Sequence, residues 1–89
     1  MTKRLGNNYK MATEHAQAFG GVIGLARLTE AVKQSNLDVD AVYWDVQDCF
    51  LTPLFIRIRA YEGYNQTTRG YDAQPLLTVV IPRLVPVIL

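Results

Sequence analysis

Ala12, Ala16, Gly20 and Gly24 recur at every fourth position within the stretch from about Lys10 to Ser35, whose apolar spacing is otherwise helical. In a continuous helix, residues four apart lie on nearly the same face, so these form a slowly drifting ridge of minimal side chains. Each interior glycine costs roughly 1 kcal/mol relative to alanine, so close approach of another backbone must offset the loss. The pattern predicts one long helix, with a break into two at Gly20-Gly21 as the alternative. The larger apolar residues Phe19, Val22, Ile23 and Ala26, widened by Leu25, Leu28 and Val32, are expected to form its buried stripe. Lys33 and Asn36 suit its C-terminal end.

Downstream the period changes. Leu54, Ile56, Ile58 and Ala60 alternate with Phe55, Arg57, Arg59 and Tyr61 after Pro53, which reads as a strand with one core face and one mixed face. Val42-Tyr43-Trp44 supports another strand over 41–46, although Val39, Val42 and Val46 also suit a helix. Residues 62–74 carry loop chemistry, and residues 1–9 read as a flexible start or a lead-in to the helix.

A last strand is expected from about Leu76 to Ile81, continuing as an apolar arm to Leu89. Pro82 and Pro86 cannot donate backbone hydrogen bonds, which confines this run to an edge strand or an extended arm. At 76–89 it is also too short for a membrane span of about 20 residues. These elements make the chain one α+β domain over 1–89. A single long N-terminal helix packs on a small, mainly antiparallel sheet of about three strands, with the C-terminal edge strand and arm at its border.

A chain of 89 residues buries only about 60 to 65 % of its unfolded surface, and 49 % apolar against 19 % charged residues is rich in apolar types for that size. Burial against a second copy resolves the excess. The expected interface draws on Gly20 and Gly24 of the helix and on Leu84, Val85, Val87 and Ile88 of the arm.

The formal charge of +1 gives no electrostatic case for nucleic acid. A helix-turn-helix reading of residues 28–46 would also push Asp38, Asp40 and Asp45 toward phosphates. The lone Cys49 excludes an internal disulfide, and no basic start joined to an apolar core resembles a secretory signal, so a cytoplasmic location is expected.

The most site-like feature is Arg57 and Arg59 two apart on one strand face between Phe55 and Tyr61. Planar guanidinium groups there could take a carboxylate or phosphate while aromatic rings stack beside them, with Trp44 nearby. The competing expectation is structural: these arginines pair across the sheet with Asp45 or Asp48. Asp38, Asp40, Asp45 and Asp48 lack calcium-loop spacing, so no metal is expected. His15 beside Glu14 cannot be oriented by it, since adjacent helical residues point about 100° apart. Cys49 has no basic neighbour to activate it.

Three functions are therefore expected, in order. The first is an oligomeric protein-interaction or adaptor domain, a homodimer without catalytic activity or cofactor, able to take a protein partner. The second is a small-ligand or anion-binding protein using Arg57, Arg59, Trp44 and Tyr61. The third is a small enzyme assembling His15, Asp45, Asp48 or Cys49 at a subunit interface.

Overall fold

The computed structural model describes residues 2–48, 54–65, 70–71 and 74–84. Strand β1 (Thr2–Gly6) leads into helix α1 (Tyr9–Ser35), followed by β2 (Tyr43–Asp48), β3 (Phe55–Tyr61), the short pair β4 (Tyr64–Asn65) and β5 (Gly70–Tyr71), and β6 (Leu77–Pro82). The main sheet is four-stranded, antiparallel, in the order β1-β2-β3-β6, and the helix packs on one face.

The expected α+β architecture is present with one strand more. Thr2–Gly6 is not a flexible start but the first edge strand, paired with β2. Lys3 and Arg4 hide it from a hydrophobicity pattern, and charged residues are common on edge strands because they discourage pairing with other chains. Residues 62–74 contain a second small pairing, Tyr64 opposite Tyr71. The strand over 41–46 is confirmed in kind and shifted to Tyr43–Asp48.

Helix α1 starts where Asn8 accepts a hydrogen bond from the Met11 amide at 3.1 Å, satisfying one of the first-turn donors. It ends at Asn36, left-handed at φ 59, whose amide donates to the Val32 carbonyl. Between these caps the backbone leaves helical geometry once, at Gly21 (φ 65, ψ −153). That region is open to glycine almost alone. The expected helix and the expected break thus coexist: one element, bent at Gly21.

The expected buried stripe holds at Leu28 and, in part, at Phe19 and Val32, and fails at Val22 and Ile23. Ala12, Ala16, Gly20, Gly24 and Leu28 are the buried residues, whereas Val22 and Ile23 are 77 % and 67 % exposed. The small residues occupy the inside of the elbow, where a Cβ on Gly24 would lie 2.5 Å from the Ala16 carbonyl oxygen. Val22 and Ile23 are left outside it, whereas Leu28 is buried and Phe19 and Val32 pack against the core. Facing the elbow is β6: a Cβ on Gly20 would lie 2.5 Å from Ile81 Cγ2 and 3.1 Å from the Pro82 carbonyl oxygen. The ridge is therefore the surface on which the sheet's last strand rests.

Beneath the helix, Trp44, Val46, Ile56, Ile58, Ala60, Val79 and Ile81 form the core with Leu5 and Val42. Their alternation along β2, β3 and β6 sends the intervening side chains to the opposite face.

Candidate functional site

That opposite face carries the residues with chemistry. Strand register sets Arg4 beside Asp45, Asp45 beside Arg59 and Arg59 beside Thr78, in one row across the whole sheet. The next rows pair Gln47 with Arg57 and Arg57 with Val80, then Phe55 with Pro82.

Arg59 Nη2 donates to Asp45 Oδ2 at 3.0 Å, with the Asp45 side chain 1 % and the Arg59 side chain 23 % exposed. Among the described residues Asp45 Oδ1 and Arg59 Nε have no hydrogen-bond partner. Burial pushes the Asp45 carboxyl above its ordinary value, against the opposing pull of Arg59 and, further off, Arg4. The guanidinium also lies over the Tyr61 ring at 5.8 Å from its centroid, within the range of a cation–π contact. Arg59 is thus held by a carboxylate and a ring of its own chain, as the structural expectation had it.

Arg57 differs. It is exposed, stands 5.8 Å over the Phe55 ring, and makes no ion pair among the described residues. Trp44 does not join either arginine. It falls on the helix-facing side of β2, fully buried, with Nε1 donating to the Val39 carbonyl at 3.0 Å and its ring 5.1 Å from that of Tyr9. The sequence grouped it with Arg57 and Arg59 by proximity along the chain, but the period of two puts Trp44 and Asp45 on opposite faces. Trp44 is corrected to a core residue, and Tyr61, 7 % exposed, keeps its place beside Arg59.

Of the residues considered for catalysis, the described His15 and Asp45 lie apart. His15 is on α1, where Nδ1 meets the Met11 carbonyl at 2.8 Å. A carbonyl only accepts, so this nitrogen carries the proton. Asp45 lies across the sheet from it. The side chain of Asp48 and all of Cys49 lie outside the described residues. No three His, Cys, Asp or Glu side chains gather among the described residues, and no described helix is long and apolar enough to cross a membrane.

A second feature was legible only in part. The exposed large apolar side chains are Val22 and Ile23 on α1, Leu54 and Phe55 at the start of β3, Leu76 before β6, Val80 on β6 and Leu84 just after it; all but Leu76 and Val80 adjoin, in sequence or by pairing, the end of β6. Leu84 sits over Gly21, and its amide donates to the Phe19 carbonyl at 2.9 Å. The Arg83 amide donates to the Leu54 carbonyl at 2.9 Å, tying that end of β6 to the start of β3. Of the interface residues expected from sequence, Leu84 is at this end of β6. Gly20 and Gly24 are instead covered by Ile81 of their own chain, because the bend turns them inward. Val85, Val87 and Ile88 lie outside the described residues.

No family model, no curated protein and no solved structure matches this chain.

Proposed function

We propose that this chain is a non-catalytic protein-interaction domain that acts as a homodimer, using the corner around Leu84. The observation that carries the reading is the gathering of exposed apolar side chains there. Leu84 lies against Gly21, next in sequence to the exposed Val22 and Ile23, and the exposed Leu54, tied to Arg83, leads to Phe55 and Val80 on the sheet's open face. Arg57 and Arg83 stand at its margin, the apolar-centre and polar-rim composition of protein contact surfaces. The sequence beyond Leu84, Val-Pro-Val-Ile-Leu, adds further apolar residues directly from this point.

The anion-binding reading has less support. Arg59 is engaged with Asp45 and Trp44 lies on the other face, which leaves Arg57 over Phe55 as its one exposed cation. Light scattering on the intact chain at micromolar concentration tests the favoured reading: a dimer mass is expected, reduced to a monomer mass by Ile23→Asp with Leu84→Asp. A monomer mass for the unaltered chain would overturn it.

A further inference from the structure

The sheet has two edges, and they differ in kind. On β1, Lys3 and Arg4 carry charge, the pairing with β2 shifts register between Arg4 and Gly6, and Gly6 has φ 62. Charge and irregularity of this sort are how native edge strands avoid pairing with other chains. The other edge, β6, reads Leu-Thr-Val-Val-Ile-Pro and contains no charged residue at all.

The hydrogen-bonding direction of each β6 residue follows from its tie to β3. The Arg83 amide donates to Leu54, and antiparallel pairing alternates residue by residue. Ile81, Val79 and Leu77 therefore turn their amide and carbonyl toward β3, while Pro82, Val80 and Thr78 turn theirs outward. Pro82 thus occupies a position where its missing amide hydrogen removes no bond within the sheet. One step further, the outward amide of Leu84 is taken by the Phe19 carbonyl of the bent helix at 2.9 Å.

The helix closes that end of the edge and stops there. Among the described residues no strand pairs with β6 on its outer side. Thr78 and Val80 remain, both with exposed side chains on the sheet's open face, each offering one outward amide and one outward carbonyl.

We infer that two copies of this chain join edge to edge through β6, antiparallel about a two-fold axis beside Val79. The inference rests on the self-association proposed above and adds to the Leu84 corner a hydrogen-bonded contact along β6. In this register Thr78 lies opposite the partner's Val80, and Val80 opposite the partner's Thr78. Every outward donor and acceptor at these two positions, unpaired among the described residues, is then satisfied in both copies, joining two four-stranded sheets into one. No charge of one β6 meets a like charge of the other. Equivalent pairing along β1 would set Lys3 and Arg4 against their own copies.

The experiment compares dimer dissociation constants by analytical ultracentrifugation of the intact chain and its variants, with circular dichroism as the check on folding. Val80→Pro deletes an outward amide without touching a bond to β3. It should weaken dimerisation about 10- to 100-fold, as two lost hydrogen bonds per dimer would. Thr78→Lys with Val80→Lys places like charges across the axis, whereas Thr78→Glu with Val80→Lys places opposite charges there. The second pair should dimerise about tenfold more tightly than the first.

If the intact chain is monomeric, the self-association reading fails, and this inference with it. If it dimerises and Val80→Pro and both charge variants dimerise equally well, the edge pairing is overturned while self-association stands. Should Val80→Pro fail to fold, the comparison of the two charge variants decides alone.

Discussion

Arg59 reaches across from β3 to hold Asp45 of β2 at 3.0 Å, and it leaves the second carboxylate oxygen with no hydrogen-bond partner among the described residues. A carboxylate so covered costs more to desolvate than one cation repays, which is why its affinity for protons rises despite the pairing.

The sign of the resulting pH dependence is opposite to that of an ordinary paired aspartate. With the folded-state value above the unfolded one, protonation favours the folded state. The contribution is fully present below the unfolded value and is lost as pH rises through the raised folded value. Urea denaturation of the unaltered chain and of Asp45→Asn over a pH series isolates it. The stability of the unaltered chain relative to Asp45→Asn should increase as pH falls through the window above 3.8. A constant difference would show that burial does not dominate at Asp45.

Removing the cation tests the same pair from the other side. Arg59→Ala strands a buried carboxylate and should cost about 2 kcal/mol at neutral pH, between the values for exposed and buried pairs because Arg59 is partly exposed. That cost should shrink in acid as Asp45 takes up its proton. Arg57→Ala, lacking an ion pair among the described residues, should change stability by less than about 0.5 kcal/mol.

Gly20→Ala sets gained helix propensity against lost space. The new Cβ would meet Ile81 Cγ2 at 2.5 Å, in a residue with no exposed surface. Overpacking of about 1 to 3 kcal/mol should outweigh a propensity gain of about 1 kcal/mol. In a double-mutant cycle with Ile81→Ala, which removes the clashing methyl, the two effects should be less than additive. Simple additivity in thermal unfolding would place the ridge away from β6.

Gly21 and Gly6 both have positive φ, at 65 and 62, but only Gly21 meets a neighbour, Leu84 at 3.3 Å. Gly21→Ala adds steric crowding to a backbone region closed to other residues, and should cost about 3 kcal/mol. Gly6→Asn meets nothing within 4 Å, and asparagine tolerates a positive φ better than most residues; about 1 kcal/mol or less is expected. Comparable losses at both sites by chemical denaturation would contradict the bend.

Trp44 emission should report unfolding and remain unchanged when phosphate or carboxylate ligands are added. Its indole is in the core, with Tyr9 as its ring neighbour and the Val39 carbonyl as its acceptor. A response to such anions with the fold intact would reopen the anion-binding reading.

What the sequence alone determined is what repeats locally. Helix length from about Lys10 to Ser35, its Asn36 end, the alternation of Ile56, Ile58 and Ala60 against Phe55, Arg57 and Arg59, and the edge position of β6 all follow from period, caps and proline chemistry. Even the Asp45–Arg59 pair was legible as the structural alternative to a ligand site. Tertiary structure decided what depends on facing partners. Strand β1 exists because β2 pairs with it, since Lys3 and Arg4 offer no hydrophobic signal of their own. The fate of the four-residue ridge was decided in the same way. A stripe of alanines and glycines announces a close approach without naming what approaches, and the bend at Gly21 turned it onto Ile81 of the same chain. Val22 and Ile23, which follow the bend directly, were thereby left outside, while Leu28 on the small-residue side was buried.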